Sequence, residues 1–356
     1  MVMIPIKGRG SVSNQTSRFD ALQREPFDDE WAKSDEDPAP RPVTTVSFEK
    51  ARSIISRNDS PDIPFDQSIN PYRGCEHGCI YCYARPTHAY LNHSPGLDFE
   101  TKLYAKSNAA EVLRQTLANP SYVPRLIALG ANTDPYQPIE RRLRITASVL
   151  AVLEEFNHPV AITTKSASVT QDIALLSRMA EKNLARVFMS VGSLDRSIAR
   201  TLEPRASTPG ARMDALGMLS AAGIPTGVIV APVIPSLTDH DMERILFSAK
   251  KAGAQDAAYV LLRLPLEVAD LFREWLAAHY PLKEAHVMNL IQHMRGGKLY
   301  DSDFKTRMKG TGIFADLLEQ RFRKACSRAG LNQTRHPLNT TLFRRPSKDP
   351  PQLSLF

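Results

Sequence analysis

With 356 residues and 42% hydrophobic content, the chain can bury one large core or two modest ones, and it offers no run of about 18 apolar residues to span a bilayer. Its net charge of +7 is uneven: residues 283 to 349 hold fourteen Lys or Arg against six Asp or Glu, which leaves the rest of the chain one charge below neutral. The composition excludes a helical membrane protein, and the local basic surplus suits either a phosphate-backbone partner or a plain solvated face.

Residues 1 to 60 are polar and rich in Ser, Pro and charge, with an acidic patch at Asp28, Asp29 and Glu30; they read as a mostly disordered region. The start, MVMIPIKGRGSVSNQ, has no apolar stretch long enough for a signal peptide, so the cytoplasm is the expected location. One short helix is expected at 47 to 56, where Phe48, Ala51, Ile54 and Ile55 recur at helical spacing. Residues 61 to 280 follow a repeated rhythm of apolar strand, loop and amphipathic helix. Strands are expected at 68 to 73, 125 to 130, 160 to 164, 186 to 191, 225 to 231 and 257 to 262. Helices are expected near 108 to 118, 138 to 156, 168 to 182, 209 to 222 and 237 to 251. The alternation predicts an α/β protein whose parallel sheet curls into a partial (β/α)6 barrel. Residues 281 to 340 break the rhythm and form a basic, mostly helical extension. Its last helix, near Ile313 to Ala329, carries an apolar stripe of Phe314, Leu317, Leu318 and Phe322. Residues 341 to 356 read as a flexible tail.

The chemistry concentrates in INPYRGCEHGCIYCYARP, residues 69 to 86, where Cys75, Cys79 and Cys82 fall in the spacing C-x3-C-x2-C. Three thiolates on one loop, with Gly74 and Gly78 letting the backbone wrap, suit a soft metal centre. Three protein ligands on a four-iron cluster leave one iron open to a small molecule. The alternative is a structural zinc site with His77, His88 or His93 as fourth ligand. In parallel α/β sheets chemistry collects at the carboxyl ends of strands, and here those ends are polar: GANTDPYQPIE after the second strand, TTKS with Lys165 after the third, SVGS with Ser190 after the fourth. A lysine directly after an apolar strand calls for an anion to hold it.

These residues resemble the radical S-adenosylmethionine (SAM) superfamily, and within it the spore photoproduct lyase branch often labelled DNA repair photolyase. The match covers roughly residues 66 to 270. It rests on the cysteine loop with Tyr81 and Tyr83, the NTD segment after strand two, the TTKS of strand three, Ser190, and the stretch LEPRAST...RMDAL...AAGIPTGVIVAPVIP. The resemblance implies a 4Fe-4S cluster on Cys75, Cys79 and Cys82, with SAM as cosubstrate. One electron, from a donor such as flavodoxin or ferredoxin, would cleave SAM to methionine and a 5'-deoxyadenosyl radical. It further implies that Thr133, Lys165 and Ser190, with Arg205 as a further candidate, hold the polar ends of SAM. Gly227 and Val228 to Ala231 resemble the strand that lies against the adenine, and Tyr81 and Tyr83 resemble tyrosines able to relay a hydrogen atom.

One departure redirects the expected chemistry. The lyases carry a cysteine shortly after strand two that returns a hydrogen atom to the product, and this chain has Asn132 there. The reading is therefore a related radical reaction, in DNA repair or maintenance, other than spore photoproduct repair. Gln352, Leu353, Ser354, Leu355 and Phe356 resemble the short peptide by which bacterial DNA-maintenance proteins dock on the DNA polymerase sliding clamp. Two other readings stand beside it: a non-catalytic iron-sulfur protein recruited to DNA, and a radical SAM enzyme with a substrate other than nucleic acid.

Overall fold

The computed structural model describes residues 5–20, 42–334 and 337–346. Among the described residues ten strands form two sheets: β1 Thr45–Glu49, β2 Ile55–Arg57, β3 Gln67–Ile69, β4 Tyr72–Arg73, β5 Lys102–Lys106, β6 Ile127–Leu129, β7 Val160–Thr164, β8 Ala185–Ser190, β9 Thr226–Val233 and β10 Asp256–Leu261. The larger sheet runs β10-β9-β8-β7-β6-β3-β2. All its pairs are parallel except β2 with β3, so six parallel strands form the expected partial barrel. The central strands β6 to β9 are mostly apolar because both faces are covered. Ile127 and Leu129, Val160 and Ile162, Val187 and Met189, and Val228 and Val230 all belong to one buried cluster with the helices outside. Helices Ala109–Ala118, Ile173–Glu181, Pro209–Ala221 and Met242–Lys251 fall where the periodicity put them. Among the described residues no helix is long and apolar enough to cross a membrane.

Four expectations need correction. The helix expected at 47 to 56 is absent: β1 pairs in parallel with β5 from Thr45 against Lys102 to Glu49 against Lys106, and β2 pairs with β3. Helical spacing of four apolar residues loses here to strand pairing, and the Asn108 side chain brackets Ala51 through both its backbone N–H and its carbonyl. The first strand, expected at 68 to 73, divides at Pro71; its second half leaves the barrel to pair antiparallel with β5. The helix expected at 138 to 156 breaks at Arg144, which adopts φ 53°. Glu140 explains the break, because its carboxylate accepts the Thr146 and Ala147 N–H groups and so caps the second segment, Ile145–Glu155, at its start. In helix Ile313–Ala329, Leu318 is buried but Leu317 is 48% exposed and lies outside the stripe.

Residues 5–20 and 42–60 are ordered, where disorder was expected; the rest of that stretch, 1–4 and 21–41 with Asp28, Asp29 and Glu30, lies outside the described residues. Arg9 donates to the carbonyls of Glu100 and Pro42 and to the Thr44 hydroxyl, and the Gly10 and Ser11 N–H groups donate to the Glu100 carboxylate. At the far end of the chain, residues 337–346 lie across the amino ends of β6, β7 and β8.

Candidate active site

The cysteine loop leaves β4 and turns at Gly74 and Gly78, both with positive φ, before a 3-10 helix at Arg85–Leu91. Local backbone bonds shape it: Gly78 N–H to Cys75 O, Cys82 N–H to Cys79 O and Arg85 N–H to Cys82 O. Arg85, fully buried, braces the loop from behind. Its guanidinium donates to the carbonyls of Cys79, Gly78, Pro95 and Gly96 and pairs with Glu100 at 2.5 Å. The segment after β6 grips the same loop from the side. Gln137 donates to Gly74 O at 3.2 Å and accepts from Glu76 N–H at 2.9 Å. Asp134 faces His77 Nδ1 at 3.3 Å and accepts from Thr164 Oγ1 and from the Lys165 N–H, both at 2.7 Å. Burial works against the Asp134 charge, yet His77 and these donors hold its carboxyl down at about 2.

All four cysteines are free thiols. Burial raises Cys75 well above the usual thiol range, with Asp134, Cys79 and Cys82 adding to the effect, and pushes Cys79 up to about 12 against the pull of Lys165. Burial thus disfavours the thiolate at Cys75 and Cys79, and a cationic centre bound there would favour it. Three thiols on one loop turned at Gly74 and Gly78, with the Lys165 ammonium acting on Cys79, are a donor set that fits a sulfide-bridged iron cluster. The histidines weighed as a fourth zinc ligand have other partners: His77 has Asp134, His88 Nε2 has the Lys102 carbonyl at 2.9 Å, and His93 Nε2 has the Tyr104 hydroxyl at 2.7 Å.

Lys165, at the carboxyl end of β7, sits with its ammonium 5.9 Å from the centre of the Tyr81 ring. Burial opposes its charge, but Cys79, Glu203 and Asp134 outweigh that and raise its pKa, so it stays an ammonium beside the thiols. Tyr81 donates its hydroxyl to Glu203, whose other oxygen pairs with buried Arg212; Arg212 also donates to Ser190 O and Ser207 O at 2.8 Å. Tyr83 donates its hydroxyl to Ala131 O, and burial of that hydroxyl pushes it up to about 12 although the residue is 46% exposed.

Lys165, Tyr81 and Cys79 are thus brought together, and the other expected contacts are engaged elsewhere. The Thr133 hydroxyl donates to Tyr72 O at 3.1 Å and the Ser190 hydroxyl to Ala231 O at 3.4 Å; Arg205 pairs with Glu76 at 3.1 Å on the outer side of the loop. Asn132, half-buried, donates its backbone N–H to the Asn70 side chain at 3.0 Å. Gly227 lies against the Phe188 ring, where a Cβ would clash. Arg85, Asp134, Gln137, Glu203 and Arg212 carry no role in the sequence reading, although each lies in a stretch singled out there.

A model of the radical SAM superfamily matches residues 69–249. The chain belongs to the radical SAM superfamily. Members of this superfamily use a 4Fe-4S cluster and SAM. Uncharacterized proteins of Mycobacterium tuberculosis and Mycobacterium bovis are 38% identical over 241 residues, covering 66% of this chain and 71% of theirs. One from Methanocaldococcus jannaschii is 25% identical over 232 residues, covering 65% of this chain and 82% of its own. Among solved structures, a spore photoproduct lyase variant superposes with a TM-score of 0.54 over 80% of each chain at 17% identity. Spore photoproduct lyase complexed with dinucleoside spore photoproduct gives a TM-score of 0.52 over 80% of each chain at 18% identity. At those identities the likeness establishes the radical SAM fold and leaves the substrate to the site.

Proposed function

We propose that this radical SAM enzyme cleaves SAM reductively and acts on a nucleic-acid substrate in DNA repair or maintenance. The observation that carries the reading is the Lys165 ammonium, at the carboxyl end of β7, set against Tyr81 and Cys79 of the three-cysteine loop. The three cysteines would hold the 4Fe-4S cluster and Lys165 the carboxylate of SAM, while Thr133, Ser190 and Arg205 would exchange their present partners, Tyr72 O, Ala231 O and Glu76, to reach its polar ends. When bound, cluster and SAM supply the electron transfer and sulfonium cleavage that generate a 5'-deoxyadenosyl radical. The protein's part is to keep Lys165 charged and to orient the phenols. Tyr81, held between Glu203 and the Lys165 ammonium, faces the cluster side; Tyr83, beside Cys82, faces the mouth and is the better-placed hydrogen-atom relay toward substrate.

Anaerobic reconstitution followed by dithionite and SAM tests the enzyme reading: 5'-deoxyadenosine should form, and Cys79→Ala should abolish it. Lys165→Ala should raise the KM for SAM about tenfold, the loss of one charge-assisted hydrogen bond. If no 5'-deoxyadenosine forms while Cys79→Ala still binds DNA, the non-catalytic reading replaces this one. Asn132 supports a reaction other than spore photoproduct reversal, and conversion of the spore photoproduct dinucleotide with SAM recycled would overturn that. The sliding-clamp peptide at Gln352 to Phe356 lies outside the described residues and remains part of the proposal on its sequence alone.

A further inference from the structure

The carboxyl end of β10 carries a second group of side chains that the cofactor chemistry does not use. Two backbone anchors bring the basic extension there. Leu261 N–H donates to Met308 O at 2.8 Å, and buried Arg295 joins Leu262 O at 2.9 Å to Thr306 O at 3.1 Å and Arg307 O at 2.8 Å. The 300–309 loop is therefore fixed at the same end of the barrel as the cysteines. The Arg263 guanidinium carbon lies 5.4 Å from the Tyr83 ring centre and 5.8 Å from that of Tyr300, and Arg307 lies 4.6 Å over Phe304. Tyr83 is 46% exposed and Phe304 is 43% exposed.

Arg307 is held in place by Asp62, with both contacts at 2.5 Å. Arg263 is left freer. Among the described residues it donates to the Tyr300 hydroxyl at 3.2 Å and to the Met308 thioether at 3.7 Å, and its Nε is buried with no hydrogen-bond partner. Exposed aromatic faces interleaved with guanidinium planes contribute little to the stability of a monomer. They are what a planar, anionic ligand needs: a π-face to stack on and a donor for a phosphate.

We propose that Tyr83, Arg263, Tyr300, Phe304 and Arg307 form a stacking platform for an unpaired nucleobase and its phosphate at the mouth of the barrel. The inference rests on the nucleic-acid reading above and narrows it: the substrate is single-stranded, or has its target base out of the stack, because bases inside a duplex have no free face to offer. A base laid on Tyr83 stands next to Cys82 in the chain, and therefore next to the place where the radical chemistry starts.

The test measures fluorescence anisotropy of a labelled oligothymidine of about 12 nucleotides with the reconstituted full-length protein, single-stranded and as a duplex, at one fixed salt concentration. The single strand should bind tighter than the duplex. Phe304→Ala and Arg263→Gln should each weaken single-strand binding by about fivefold or more, the loss of one stacked base, while iron content and melting temperature stay at wild-type values. Phe304→Trp should restore binding, and Arg263→Lys should not, since an ammonium keeps the charge but loses the plane. Unchanged affinity in both loss variants, or a preference for duplex, overturns the platform and leaves the nucleic-acid reading standing. Failure of the wild-type protein to bind either oligonucleotide, while it still cleaves SAM, removes both. If Arg263→Gln loses its cluster, Phe304→Ala on the outer loop decides alone.

Discussion

Arg85 shows how much of the cysteine loop depends on one side chain outside the C-x3-C-x2-C spacing. A buried guanidinium is costly unless its N–H groups are all placed, and here four carbonyls and one carboxylate take them. Lysine at this position keeps the charge but has one nitrogen, which cannot bridge the Cys79, Gly78, Pro95 and Gly96 carbonyls together. Arg85→Lys is expected to destabilise the fold by about 3 kcal/mol or more and to hold less than half the wild-type iron and sulfide after reconstitution. Wild-type iron content in that variant would mean that the loop shapes itself. The cysteines were legible in the sequence because their spacing is short-range. Arg85 was not, although it stands in the quoted ARP, because its partner Glu100 is itself fixed by Gly10 and Ser11, about 90 positions away. Glu203 and Arg212 were missed for a similar reason: a buried pair on two different helical turns, aimed at Tyr81, has no local periodicity.

At the level of elements, buried parallel strands were legible as continuous apolar runs, whereas β1 and β2 form at the rim, where pairing partners decide and side-chain spacing misleads. The C-terminal residues 337–346 make a comparable long-range attachment. Phe343 packs 5.8 Å from the Tyr122 ring, 5.7 Å from His158 and 6.1 Å from Phe156, and Arg345 donates to the carbonyls of Asn119, Pro120 and Tyr122. Burial holds His158, and likewise His88, down at about 4. The unfolded chain takes up protons as pH falls through about 6.5, and the folded chain does so only near 4. Both groups therefore give full stability above the upper value and lose it as pH falls toward the lower one. The slope in that window is about 1.4 kcal/mol per pH unit for each histidine. Urea midpoints measured across it should fall steadily with acid, and His158→Gln should remove about one proton from the slope. An unchanged slope would mean that His158 titrates alike in both states.

For the whole molecule, the two ends of the barrel divide the work. The carboxyl ends of the strands carry the cysteines, Lys165 and the Arg263 group; the amino ends carry the attachment of residues 337–346, through Phe156 just before β7 and Asn183 just before β8. The described chain thus ends, at Pro346, on the face opposite the mouth. From Pro346 to Gln352 a fully extended chain would span at most about 20 Å. A clamp bound at Gln352 to Phe356 would then hold the protein by its back and leave the mouth facing outward. Two measurements follow from this geometry. Deleting those five residues should abolish binding to the sliding clamp and leave oligonucleotide affinity unchanged. With the full chain, clamp and oligonucleotide should bind together, so that saturating clamp shifts oligonucleotide affinity by less than about twofold and yields a ternary complex in sedimentation, since sites with no shared contacts carry little coupling free energy. Mutual exclusion would show that the tail reaches the mouth and that the attachment at 337–346 does not set the direction in which the enzyme is presented.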